Sequence, residues 1–214
     1  MTKSFIQKVL FFFVSTFISF SLHAQTATSL LDQAAAKLKN SGGISATFEA
    51  TQFKKTTENG TTQGNIDLSG KKFKVTTPGL TTWFDGTTQW SMLSGSGEVN
   101  VSTPTAEELQ SINPYAFVDL YKSGYKATLS YTNKGGKKCP NIKLVATSKQ
   151  RDIREMRIVL NPETHLPSSI RILRKDGNWF RIRVKSISLG KKWNDSHFRF
   201  SKTDYPNVEI IDLR

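Results

Sequence analysis

The chain has 214 residues and carries 30 Lys plus Arg against 17 Asp plus Glu, a formal net charge of +13. Its length suits a single β-class domain, and its one cysteine, Cys139, excludes an internal disulfide. A balance this basic points to anionic partners. Export, which the N-terminal segment indicates, turns it away from nucleic acid and towards anionic membrane surfaces, anionic glycans or acidic proteins, with a solubilising coat as the plainer reading.

Residues 1–24 read as a signal peptide. Lys3 and Lys8 form a positive n-region, Val9 to Phe20 an apolar h-region, and Ala24 before Gln25 a small-residue cleavage point. The apolar run is shorter than the roughly 20 residues of a spanning helix. Cleavage there leaves residues 25–214 as one domain, with 28 basic against 17 acidic side chains and a net charge of +11. With no cysteine beside the cleavage point, no lipid anchor is expected.

A helix is predicted over Ser29 to Lys39, capped by Thr28 or Ser29, with Leu30, Leu31, Ala34, Ala35 and Leu38 on one stripe. Asn40-Ser41-Gly42-Gly43 stops it. From Ile44 the period switches to two, with Ile44, Ala46 and Phe48 alternating with Ser45, Thr47 and Glu49, and the strand runs to a hairpin loop around Glu58-Asn59-Gly60. Short strands follow over Gly64–Leu68 and Lys71–Val75, then a pair folded at Asp85-Gly86 within Trp83–Met92, then Val99–Val101. Asp-Gly between aromatic strands is a strong hairpin signal, because Gly86 takes positive φ without a Cβ clash.

Between Pro104 and Gly124 two short helices are predicted, Pro104–Leu109 with acids in its first turn and Asn113–Tyr121 with Phe117, Leu120 and Tyr121 on one face. The remainder reads as strands near 125–132, 141–148, 154–161, 167–175 and 178–189, with a last piece near 198–200. A three-residue turn at Asp176-Gly177-Asn178 sets Ile172 opposite Ile182 and Arg171 opposite Arg183. This order predicts a mainly β, α+β fold: one large, curved antiparallel sheet with a helical cover.

No catalytic residue is predicted. His165 and His197 are the only histidines after residue 24, and each reads as solvated or structural. There is no metal-ligand spacing, no Gly-rich phosphate loop and no Gly-x-Ser-x-Gly elbow. The reading is a non-enzyme with no metal and no cofactor, in which Cys139 is a buried, inert thiol. The aromatic residues Phe48, Phe53, Phe73, Trp83, Phe84, Trp90, Phe117 and Tyr121 fit either an ordinary core or a hollow that holds an acyl chain. Every Arg lies at or after position 151. Arg171, Arg181 and Arg183 form a basic strip on one sheet face, a docking surface for an acidic partner or anionic lipid headgroups, or a solvated face that discourages edge pairing.

The chain resembles the periplasmic outer-membrane lipoprotein carrier family, the LolA-like proteins. The resemblance runs over nearly all of 25–214: the N-terminal helix, Phe48-Glu49-Ala50, the Gly64 strand leading to a basic turn and Phe73, Asp85-Gly86-Thr87-Thr88-Gln89-Trp90, the helical insert after Pro104, and the ending Phe198-Arg199-Phe200 with Pro206 to Asp212. It implies an unclosed, strongly curved antiparallel β-barrel whose apolar concave face is lidded by short helices. It also implies a periplasmic carrier that takes acylated lipoproteins, or another lipid, from an inner-membrane lipoprotein-releasing transporter to an outer-membrane acceptor, with no cofactor and no nucleic acid.

On that reading the acyl chains lie against Phe48, Ile66, Leu68, Phe73, Val75, Trp90 and Met92, under a lid holding Phe117 and Leu120. Members of the family carry an Arg before the Phe73 position that latches the lid. This chain has Ser69-Gly70-Lys71-Lys72 there, so Lys71 or Lys72 is the candidate latch. A monomer is expected. The alternative is an exported β-domain interaction protein that binds an anionic glycan or acidic surface through the basic strip.

Overall fold

The computed structural model describes residues 26–105, 108–109 and 121–214. The expected signal peptide and the lid residues Phe117 and Leu120 lie outside the described residues. Helix α1 spans Ala27–Asn40. Thr26, and neither Thr28 nor Ser29, is its cap: Thr26 Oγ1 accepts from the Ser29 amide at 3.0 Å, which extends the helix by two residues and brings Ala27 into the buried stripe. The Ser41 amide donates to the Leu38 carbonyl, and Gly42, at φ +75°, turns the chain out of the helix.

One sheet then follows, built of β1 (Gly43–Lys54), β2 (Thr57–Ser69), β3 (Lys72–Thr76), β4 (Leu80–Phe84), β5 (Gln89–Leu93), β6 (Glu98–Ser102), β7 (Tyr125–Lys134), β8 (Lys137–Ala146), β9 (Ile153–Leu160), β10 (Pro167–Arg174), β11 (Trp179–Lys191) and β12 (Glu209–Asp212). Its order is β12-β6-β5-β4-β3-β2-β1-β11-β10-β9-β8-β7. Neighbours are antiparallel except β12, which joins β6 in parallel. The edge strands β12 and β7 stand at opposite ends of this order and do not pair, so the curved sheet is an unclosed barrel, as expected.

Three local expectations are corrected. The β1–β2 turn is at Lys55-Thr56, and 58–60 are strand residues; Lys55 itself takes the left-handed conformation, at φ 59°. The Arg174 amide donates to the Asn178 carbonyl and closes the β10–β11 hairpin, so the loop has three residues, as expected, but they are Lys175-Asp176-Gly177. Gly177, at φ +81°, fills the left-handed position that closes such a loop. The register therefore moves by two, setting Arg171 opposite Arg181 and Ile172 opposite Phe180. Because the shift is even, Arg171, Arg181 and Arg183 remain on one face. Finally, 198–200 is no strand: a 3-10 turn covers Asp195–Phe198, and the last strand is β12.

Directly paired residues share a face, so the register lays out the concave surface row by row. Ile44, Leu68, Phe73 and Phe84 form one row, and Ile182, Ile170, Ile158, Ile142 and Leu129 another. Helix α1 sets Leu30, Leu31, Ala34 and Leu38 on this surface, all buried in one cluster with Ile44, Leu68, Phe73, Ile142, Leu144, Ile158 and Leu160. Area removed from water at about 25 cal/mol per Å² holds the helix in the concavity. Cys139 is buried at the start of β8.

Candidate functional site

The buried stripe of α1 meets part of the concave face. Beside it runs a seam of half-buried apolar side chains: Phe48 of β1, Val75 of β3, Ile172 of β10 and Val184 of β11 pack at the margin of the cluster, and Ile182 and Phe180 continue the same face along β11. Phe48 stands opposite Val184 just past a bulge that takes up Lys185. On its other side it pairs with Gly64, where a Cβ would fall 2.7 Å from Phe48 Cζ and 2.7 Å from the Thr76 carbonyl oxygen. The glycine leaves room for the tip of the ring over β2, and Phe48 stays half-buried at the seam.

Five of the expected lining residues are thereby brought together on the concave face. Ile66, Leu68 and Phe73 form its buried base, and Phe48 and Val75 its accessible margin. Trp90 and Met92 are elsewhere. Trp90 pairs with Trp83 and Val101, and Met92 with Thr81 and Val99, which puts both on the convex face with Lys74 and Asp67. Across β4 to β6 the concave positions turn polar instead: Val75 is followed by Thr82, Ser91 and Asn100, and Phe84 by Gln89. Beyond β4, across β5 and β6, the concave face keeps only Leu93 of β5, opposite Leu80 and 58% exposed at the rim. The sequence reading missed Ile172, Phe180, Ile182 and Val184, although Phe180, Ile182 and Val184 alternate with Arg181 and Arg183 and so mark a face.

The convex side of β3 to β6 has its own core, covered by the chain after β11. Trp83 meets Phe200 and Tyr205 edge-on, both at 5.8 Å between centroids. His197 stacks on Trp193 at 4.2 Å, and its Nε2 lies 2.8 Å from Asp67 Oδ2, while Ser45 donates to Asp67 Oδ1. Asp85 closes the β4–β5 turn by accepting from the amides of Thr87 and Thr88, and Arg199 Nε donates to its other oxygen at 3.0 Å. Burial works against ionisation of Asp85, but the two amides and Arg199 outweigh it and hold its carboxyl below the usual range. Lys72 ion-pairs with Asp195 in this convex layer, which ties it to the C-terminal segment and away from α1. Lys71 is exposed in the turn before β3.

The ends of the segment around 110–120 are anchored on the concave side. Thr105 and Glu108 form a reciprocal capping box: the Glu108 carboxylate accepts from the Thr105 amide at 2.8 Å and hydroxyl at 2.9 Å, and the Glu108 amide donates to Thr105 Oγ1. Leu109 packs against the core cluster, and Tyr121 is buried in it with its hydroxyl donating to Asp32 of α1. Among the described residues no three His, Cys, Asp or Glu side chains converge as metal ligands.

A family model described as outer membrane lipoprotein carrier protein LolA matches residues 15–177. The chain belongs to this family. Among solved structures, an uncharacterised conserved protein from Thermus thermophilus is similar over 88% of this chain and 99% of its own, with 11% identity and a TM-score of 0.58. A LolA superfamily protein from Nitrosomonas europaea is similar over 83% of this chain and 99% of its own, with 11% identity and a TM-score of 0.43. A DUF1329 family protein from Desulfovibrio piger covers 82% and 98% respectively, with 11% identity and a TM-score of 0.47. No curated protein matches the chain. For a LolA-family chain, an open half-barrel with an apolar concave face is the arrangement suited to a binding or carrier protein for lipid or lipoprotein.

Proposed function

We propose that this protein is a periplasmic carrier that shields the acyl chains of lipoproteins in its concave face between an inner-membrane releasing transporter and an outer-membrane acceptor. The observation that carries the reading is the half-buried seam of Phe48, Val75, Ile172 and Val184 beside α1, on a chain of the lipoprotein-carrier family. Each methylene taken from water is worth about 0.8 kcal/mol. Ten of them supply about 8 kcal/mol, less several kcal/mol for association, which leaves reversible binding of the kind a carrier needs. The process is non-covalent and needs no cofactor.

Helix α1 and the segment holding Phe117 and Leu120 act as the cover in this proposal. Support comes from Leu109 and Tyr121, which fix both ends of that segment to the concave cluster, and from the Tyr121–Asp32 hydrogen bond to α1. That bond replaces Lys71 and Lys72 as the proposed latch. Residues 1–24 direct export. The test is a photoactivatable fatty acid, cross-linked to the purified protein and mapped by mass spectrometry. Labels on Phe48, Ile172 or Val184 support the concave site. Labels confined to Trp90, Met92 or the convex face refute it.

A further inference from the structure

The four strands that carry the isoleucine row inside carry a row of cations outside. Arg181 of β11 stands opposite Arg171 of β10, Arg171 opposite Arg157 of β9, and Arg157 opposite Lys143 of β8. Strands lie about 4.8 Å apart, so the row places one cation per strand over about 14 Å. Like charges directly opposite one another are destabilising, and the fold accepts three such pairs in succession.

The guanidinium groups are held by rings. Arg171 lies 5.6 Å from the Phe53 centroid and 5.0 Å from that of Trp179. Arg181 is 5.0 Å from Phe53, and Arg157 is 5.4 Å from Trp179. Stacking of this kind restrains the groups before any ligand arrives. Compensation within the chain is partial. Arg181 bonds Glu58 and Thr51, and Arg157 and Lys143 share Glu155, but Arg171 has no carboxylate partner among the described residues. The Nε atoms of Arg171 and Arg181 are buried without an acceptor. Burial and the adjacent Arg157 and Arg181 charges push the Arg171 guanidinium down from its ordinary value, and the nearby Glu155 charge offsets them only in part. Arg183 and Lys185 extend the same face and share Glu49. Six cations thus stand against three carboxylates.

We propose that this convex ladder, Arg181–Arg171–Arg157–Lys143, binds a linear carboxylate-bearing polysaccharide laid across the strands. The row follows the circumference of a curved sheet. A flexible chain can follow such a line, whereas a flat bilayer touches a convex face at a tangent. An extended polypeptide presents same-side carboxylates only every second residue, about 6.6 Å apart. A polyuronate carries a carboxylate on every ring, and rotation about its glycosidic bonds brings successive ones to the strand side without a fixed two-residue alternation. The site does not depend on acyl carriage, since it lies on the opposite face of the sheet.

The test uses the purified protein and fluorescently labelled polygalacturonate, followed by anisotropy at two salt concentrations. The wild type binds, and binding weakens as salt rises. Lys143→Gln/Arg157→Gln, at side chains that are 43% and 44% exposed, keeps the fold and weakens binding by about tenfold or more. The equally charge-reducing Lys39→Gln/Lys134→Gln pair, away from the ladder, changes binding by less than about twofold. Equal losses in both pairs, or no binding by the wild type, overturn the proposal. So does tighter binding of polyglutamate or of phosphatidylglycerol vesicles than of polygalacturonate.

Discussion

Replacing Gly64 with alanine tests the geometry of the concave seam at its tightest point. The added Cβ falls 2.7 Å from Phe48 Cζ, 2.7 Å from the Thr76 carbonyl oxygen and 2.9 Å from Thr77 Cγ2. The aromatic ring can swing away, but the carbonyl belongs to the chain at the end of β3 and retreats only if the β2–β3 pairing shifts. Overpacking of this kind costs about 1–3 kcal/mol. With a urea m-value of about 2 kcal/mol per M, a loss of 2 kcal/mol lowers the midpoint by about 1 M.

Phe48→Ala removes one of the three obstacles, so the double variant Gly64→Ala/Phe48→Ala is less destabilised than the sum of the single changes, by about 0.5–2 kcal/mol. Urea unfolding followed by circular dichroism measures all three variants. A Gly64→Ala protein with the wild-type midpoint and slope refutes the reasoning, because the tip of the ring then does not sit over β2.

Other outcomes follow from the same structure. Val184→Asp and Ile172→Asp abolish binding of a fluorescent fatty acid while far-ultraviolet dichroism keeps its strand signal, whereas Trp90→Ala and Met92→Ala leave that binding within about twofold, because their side chains face the other side. Phe73→Ala, at a fully buried position against Phe84, costs about 3–5 kcal/mol in urea unfolding. Asp85 has a lowered carboxyl value in the folded state, so its contribution is complete above the unfolded carboxylate range near 4 and is lost as pH falls through the lower folded value. Asp85→Asn costs about 1 kcal/mol at pH 7 and flattens the acid limb of the stability–pH curve below that range. Tyr121→Phe removes the hydroxyl bond to Asp32 and speeds fatty-acid uptake, measured by stopped-flow fluorescence, if that bond holds the cover.

The amphipathic helix and the period-two strands were legible because each is written locally, whereas the open edge of the sheet came from the family resemblance. Leu30, Leu31 and Leu38 mark one stripe, and Ile44, Ala46 and Phe48 one face. What alternation does not say is which face is inside. Trp90 and Met92 alternate with Gln89 and Ser91 as clearly as Ile66 and Leu68 do with Asn65 and Asp67. Yet their apolar face points outwards, because Phe200 and Tyr205 near the end of the chain cover the convex layer they share with Trp83. No local signal announces that return, nor the parallel pairing of Ile210 with Val99. The Arg171–Arg181 register turned on a single left-handed residue, Gly177, whose place in the loop decides which side chains oppose.

Carriage by this protein requires that acyl chains occupy the concave seam. Native mass spectrometry of the purified protein, mixed with a synthetic triacylated lipopeptide, measures this for the wild type beside Val184→Asp. The wild type forms a one-to-one complex and Val184→Asp keeps an unloaded mass, with the same charge-state distribution for both. Equal loading of the two proteins, or no loading of the wild type, contradicts carriage in the seam.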